Sequence, residues 1–282
     1  MEKRILIPVD FSRNSLNATR YALDLLSMQR CTFYLLNVFQ LRGYSIDNMM
    51  VPEPGEKAYE AAKDQSESGL VKFMGMLKLH PENPLHGFHT ISVFNSLVYG
   101  VKNQIAKKDI DLVVMGTRGA TDASSIIFGT NAVNVMKEVT ECPVLTVPSD
   151  YQYAPPREIV FPTDFKSPCR RREMNQLLEI ARDHGSVIRV LHIVKEAKLG
   201  RDQQSNKELL HTILMDTPHE FHNLTNLKVH AGIGAFVASR NSDMIVFMNR
   251  KHSFLGKILA KPLVRELGYH YQIPIMELNT IS

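Results

Sequence analysis

The octapeptide Arg4-Ile-Leu-Ile-Pro-Val-Asp-Phe11 recurs, little changed, as Glu158-Ile-Val-Phe-Pro-Thr-Asp-Phe165. In both copies apolar residues follow one another without polar alternation. Such a run belongs to a strand covered on both faces, as in a parallel sheet wound with helices. Burial alone explains the Ile and Val, but not a Pro-x-Asp-Phe ending at the same place twice. Three further echoes keep the same order along the chain. Tyr34-Leu-Leu-Asn-Val38 returns as Arg189-Val-Leu-His-Ile193, Asp111-Leu-Val-Val-Met115 as Asp243-Met-Ile-Val-Phe247, and Cys142-Pro-Val-Leu as Ile273-Pro-Ile-Met. The chain is therefore read as an internal duplication.

Within the first copy, Arg4–Val9, Thr32–Phe39, His89–Phe94, Asp111–Met115 and Pro143–Val147 read as strands. Ser15–Met28, Glu56–Leu79, Leu97–Lys107 and Asn131–Val139 read as the helices between them. Strand and helix in alternation give an α/β, doubly wound parallel sheet, with right-handed crossovers placing helices on both faces. The expected domains are 1–149 and 158–282. The linker, 150–157, is stiffened by Pro155 and Pro156.

The 282 residues suit two domains of about 140 each. A hydrophobic fraction of 44% and a charged fraction of 22% argue against disorder or a fibrous repeat. The net charge of +4 is spread along the chain, so nucleic acid is not an expected partner. No apolar run is long enough to span a membrane, and the opening MEKRILIPVDFS does not read as a secretory signal. Three scattered cysteines, Cys31, Cys142 and Cys169, lack metal spacing and fit ordinary packing in a reducing cytoplasm.

The chemistry-bearing pattern follows the fourth strand. Gly116-Thr-Arg-Gly119 is followed, after nine intervening residues, by Gly129-Thr130-Asn131 at a helix start. Glycine admits a sharp turn and a close backbone approach. The first amides of a helix point outward unpaired, with the positive end of the dipole behind them, and so favour phosphate. In an open α/β sheet such loops gather at the carboxyl ends of the strands. Asp10, at the end of the first strand, stands on that edge and can accept from a ribose hydroxyl or a base amino group. Two plainer readings stay open: Asp10 caps the next helix, and the glycines serve only turns.

Gly116-x2-Gly119-x9-Gly129-Thr130, set between Asp-Leu-Val-Val-Met and Cys-Pro-Val-Leu-Thr-Val, resembles the ATP-binding subgroup of the universal stress protein family. The opening Ile-Leu-Ile-Pro-Val-Asp-Phe-Ser is similar to that family's first strand. The resemblance spans both copies and is stronger in the first. It implies strand order 3-2-1-4-5 in an adenine nucleotide alpha-hydrolase-like fold. It further implies that Pro8, Val9, Asp10 and Val38 surround the base, and that Met115 and Gly116 lie beside the ribose. Arg118, Gly119, Gly129, Thr130 and Asn131 would hold the phosphates of ATP, with Mg²⁺ or another divalent ion on them. Asp122, between the glycines, is read as solvated. In the family, single domains pair through their fifth strands. The resemblance thus implies an internal pseudo-dimer of Pro143–Val147 with Pro274–Leu278, and homodimerisation as a further step.

The second copy keeps Asp164 but places Met248 where Gly116 stands, Lys251 where Gly119 stands, and Leu259-Ala-Lys261 in place of Phe128-Gly-Thr130. It reads as a degenerate partner kept for packing. His211, His219 and His222 suggest a solvated helix face. No nucleophile elbow, His-Glu-x-x-His or Gly-Lys-Ser/Thr sequence is present. The expectation is a nucleotide-dependent stress-response regulator. Its rivals are a slow ATPase or nucleotidyl-transfer enzyme using the same pocket, and a structural tandem holding another small ligand.

Overall fold

A computed structural model describes residues 2–41, 56–117, 129–194, 198–225, 227–249 and 273–279. The described residues form two compact units, the first ending at Asp150 and the second beginning at Tyr151. In the first, β1 (Lys3–Pro8), α1 (Arg13–Leu25), β2 (Cys31–Phe39), α2 (Lys57–Leu77), β3 (His86–Phe94), α3 (Leu97–Lys108), β4 (Leu112–Gly116), α4 (Thr130–Glu138) and β5 (Val144–Val147) follow in order. The second has β6 (Glu158–Pro162), α5 (Arg171–His184), β7 (Val187–Val194), α6 (Arg201–Leu214), β8 (His219–Thr225), α7 (Val229–Arg240), β9 (Met244–Asn249) and β10 (Ile275–Asn279).

Strand order is β3-β2-β1-β4-β5 in the first unit and β8-β7-β6-β9-β10 in the second. Pairing is parallel throughout both units. This is the expected doubly wound α/β fold with order 3-2-1-4-5. In the first unit β1 lies between β2, with Lys3 opposite Cys31 and Pro8 opposite Leu36, and β4, with Ile5 opposite Leu112. Ile5, Leu6, Ile7, Leu35, Leu36 and Leu112 are fully buried. Their unbroken apolar runs are what a strand covered on both faces requires.

Two sequence expectations need correction. β3 starts at His86, three residues before the expected His89. His219 and His222 lie on β8 and not on a helix: the strand pairs with β7 from Ile188↔His219 to Val194↔Thr225. Edge strands meet water on one side, so β8 carries polar residues that hide its period from a reading based on apolar runs.

The duplication extends to backbone detail. Phe11 and Phe165 both adopt positive φ, 64° and 56°. Each follows an aspartate whose Oδ1 accepts a hydrogen bond from the amide two residues on, Ser12 at 3.1 Å and Lys166 at 3.0 Å. A left-handed phenylalanine is strained by about 1 kcal/mol or more, so surrounding contacts must hold it. The Phe11 ring fills a hollow that exists because Gly69 has no Cβ: one added there would stand 2.4 Å from the ring. Asp109 and Asn241 end α3 and α7 in the same left-handed conformation. Two residues later, Asp111 accepts from the Arg4 amide at 2.8 Å, and Asp243 from the Glu158 amide at 2.9 Å.

Glu158 also anchors an ion network. Its carboxylate accepts from Arg240 Nε at 2.5 Å and Nη2 at 3.0 Å, and meets Arg189 Nη2 at 2.9 Å. Arg189 in turn pairs with Glu220. Burial works to raise the Glu158 pKa, but hydrogen bonds from Arg240 and Arg189 outweigh it and hold the carboxyl below its ordinary range. A depressed carboxyl stabilises the fold above its unfolded pKa, and that stability is lost as pH falls through the folded value. Glu158→Gln is expected to lower unfolding stability by about 2 kcal/mol at neutral pH, because it removes the charge that the largely buried Arg189 and the more exposed Arg240 both meet. Urea titration is the measurement. The difference from the parent must shrink as pH drops below the ordinary carboxylate range, and an unchanged midpoint at pH 7 would exclude the network as a stabiliser.

Candidate functional site

At the carboxyl ends of β1, β2 and β4, where strand order reverses, lies a cavity of about 460 Å³. That volume falls within the range of small-molecule sites. Pro8, Val9 and Asp10 form one wall, Asn37, Val38 and Gln40 another, and Met115 and Gly116 a third. The starts of α3 (Ser96, Leu97, Val98) and α4 (Asn131, Ala132, Asn134) close the rim, with Ser15 from α1.

Of the residues singled out in the sequence, Pro8, Val9, Asp10, Val38, Met115, Gly116 and Asn131 line this one cavity. Gly129 is buried at the N-cap of α4, and Thr130 is exposed as its first residue; both adjoin the lining without forming part of it. Arg118, Gly119 and Asp122 lie outside the described residues.

The α4 terminus suits an anion. Its N-cap is a glycine that provides no side-chain cap, and its first turn carries no acidic residue. The Gly129 amide donates to the Thr117 carbonyl at 2.6 Å, and the Thr117 amide donates to Val147 at 3.0 Å, which ties the helix start to the ends of β4 and β5. The amides of the first turn carry the positive end of the helix dipole toward the cavity rim.

Asp10 does not cap α1 itself. Its Oδ1 accepts from the Ser12 amide and, at 2.6 Å, from the Ser12 hydroxyl. Ser12 is the cap, accepting from the Ser15 amide at 3.1 Å. Asp10 thus braces the capping residue while its exposed side chain stands at the cavity wall.

Gly116 has a local reason to be glycine. A Cβ there would lie 2.4 Å from the side-chain nitrogen of Asn14, a residue only 7% exposed. Gly100 has a related role: a Cβ would stand 2.8 Å from Val38 Cγ2, so its absence lets α3 close on the cavity wall. Asn14, Asn37, Gln40, Ser96, Gly100 and Asn134 stand outside the motifs read from the sequence. A polar Asn37 inside an otherwise apolar run was the one visible signal.

A model of the universal stress protein family matches residues 1–148. The chain belongs to the universal stress protein family. It is 29% identical over 155 residues to universal stress protein MJ0531 of Methanocaldococcus jannaschii, an alignment covering 51% of this chain and 81% of that one. Among solved structures it is similar to a universal stress protein from Archaeoglobus fulgidus, with TM-score 0.69, 14% identity, and coverage of 98% and 96% of the two chains. A putative universal stress protein from Pseudomonas aeruginosa gives TM-score 0.58 at 11% identity, covering 98% and 93%. At such identities these structures share the fold.

The second unit treats the matching strand end differently. Gln203 Nε2 donates to the Asp164 carbonyl at 2.8 Å and Asn206 Nδ2 to the Phe165 carbonyl at 2.8 Å, so α6 side chains pin the turn. Met248, aligned with Gly116, is buried with its larger side chain. Lys251 and 259–261 lie outside the described residues. His211 Nδ1 and His219 Nε2 are 2.9 Å apart, but among the described residues no three His, Cys, Asp or Glu side chains gather to hold a metal. Nor is any helix among them long and apolar enough to cross a membrane.

Gly116→Ala is expected to cost about 1–3 kcal/mol of stability through overpacking against Asn14. Pairing it with Asn14→Ala, which vacates that space, should recover part of the loss in the same urea titration. Equal losses in the single and double variants would show that Asn14 is not the obstacle.

Proposed function

We propose that the first unit of this universal stress protein binds an adenine nucleotide, ATP in particular, and that binding regulates rather than drives chemistry. The observation that carries the reading is convergence. Seven residues separated by up to 123 positions, from Pro8 to Asn131, line one cavity at the reversal of strand order. Open α/β sheets bind ligands at that point. Pro8, Val9, Asp10 and Val38 would border the base, Met115 and Gly116 the ribose, and the α4 start the phosphates. The helix terminus without a side-chain cap or an acidic first turn fits that group.

A divalent ion such as Mg²⁺ would sit on the phosphate oxygens. The chain's own part is to bind, orient and shield. On this reading residues 1–149 are the nucleotide domain, 150–157 the linker, and 158–282 a degenerate partner in a cytoplasmic protein. A slow ATPase is the second reading. Phosphoryl transfer needs a group that orients the attacking water, and the polar residues of the cavity, Ser15, Asn37, Gln40, Ser96, Asn131 and Asn134, supply amides and hydroxyls.

The test is chromatographic identification of nucleotide released on denaturation, followed by calorimetry with ATP and Mg²⁺. Stoichiometric ATP, one per chain, is expected. Asn131→Glu places a carboxylate in the first turn of α4, which favours the helix but repels phosphate, so affinity should fall about tenfold or more while thermal stability holds or rises. No nucleotide in either experiment overturns the proposal.

A further inference from the structure

We infer that Asn37 is a positioning residue of the cavity, acting through a buried chain of hydrogen bonds that fixes the Val9–Asp10 turn; the inference rests on the nucleotide reading above. Asn37 is 8% exposed in the middle of an apolar strand, an unfavourable place for an amide unless every polar atom is used. Its Nδ2 donates to the Val9 carbonyl at 2.7 Å. The carbonyl can only accept, so the nitrogen must be the atom that faces it. Oδ1 on the other side accepts from Ser66 Oγ at 2.7 Å. Ser66 is 3% exposed, and its single hydroxyl proton is spent on Asn37. Ser92, 2.7 Å from Ser66 Oγ, therefore donates to it.

The donors thus run one way, from Ser92 on β3 through Ser66 on α2 and Asn37 on β2 to the end of β1. Such aligned chains polarise one another and hold direction as well as distance. Their end point is the carbonyl of Val9, bonded to the nitrogen of Asp10. The preceding peptide is held as well, by the Val9 amide, which donates to the Leu36 carbonyl at 2.8 Å, so both peptides flanking the Val9 Cα are fixed. Fixing them sets the rotation of the next residue, and so where the Asp10 carboxylate stands in the cavity. The second unit repeats the device with another side chain: His192, aligned with Asn37, places Nδ1 2.9 Å from the carbonyl of Thr163, aligned with Val9. A donor at this point survives where the cavity lining does not.

The experiment compares, on the full chain, Asn37→Leu, Asn37→His, Asp10→Ala and the double variant that joins Asn37→Leu to Asp10→Ala. ATP affinity in Asn37→Leu should fall about tenfold or more, since the Val9 carbonyl loses its donor. Asn37→His, the side chain the second unit uses, should restore affinity to within about threefold of the parent. Because Asn37 acts through the turn, the double variant should bind no worse than Asp10→Ala alone; independent sites would add. A readout without nucleotide accompanies these: hydrogen exchange at the Ser12 amide, held by Asp10, should quicken in Asn37→Leu and not in Asn37→His. Ser66→Ala, which cuts the middle link, should act in the same direction and serves if Asn37→Leu fails to fold. Faster exchange in Asn37→Leu, together with a parent chain that binds no ATP, would retain the positioning role and reject the nucleotide reading. Unchanged exchange, or additive losses of affinity, would overturn the positioning role itself.

Discussion

Burial of β1 on both faces and along both edges is the constraint from which the rest follows. Ile5, Leu6 and Ile7 are fully buried, with β2 on one side and β4 on the other. A strand so enclosed has no room for polar side chains along its length, so chemistry is confined to its ends. At the carboxyl end the neighbouring strands are followed by connections that leave in opposite senses, and the crevice between them is the cavity bordered by Asp10, Asn37 and Gly116. The site is thus a consequence of how the core is closed, with side chains added at the positions that closure leaves open.

That dependence explains what was legible. Strands buried on both faces announce themselves as apolar runs, and the residues at their ends, Asp10 and Gly116, with Asn131 at the start of α4, are legible directly as candidates. The far wall could not. Gln40 and Ser96 sit at strand and helix termini whose conformation depends on partners distant in sequence. Asn14 matters only because α1 lies over the glycine at the end of β4, a contact between residues 102 positions apart that no local pattern encodes. The edge strands are the least legible: apolar runs place the start of β3 three residues late and the histidines of β8 on a helix, because strands facing water lack the apolar signature of those that do not.

The two copies show which features the fold needs and which the cavity needs. Left-handed turns at Phe11 and Phe165, left-handed helix ends at Asp109 and Asn241, and the carboxylates of Asp111 and Asp243 on backbone amides are present in both. Gly232 likewise lets α7 approach Ile193, as Gly100 lets α3 approach Val38. These are backbone solutions to closing the sheet. The replacements fall elsewhere: Met248 for Gly116, His192 for Asn37, and α6 side chains drawn over the turn beside Asp164. Among the described residues, strand order and backbone turns are shared by the two copies, while side chains at the strand ends differ.

The three thiols carry a practical consequence. Cys31, Cys142 and Cys169 are all buried, and burial pushes the first two up to about 12, far from the thiolate that alkylating reagents require. All three thiols are therefore expected to react slowly with maleimide or methanethiosulfonate reagents while the chain is folded. A cysteine introduced on an exposed helix face would be the one reactive point, ready for a fluorophore or a spin label. Distances and motions in this protein can be followed without first removing what evolution placed in its core.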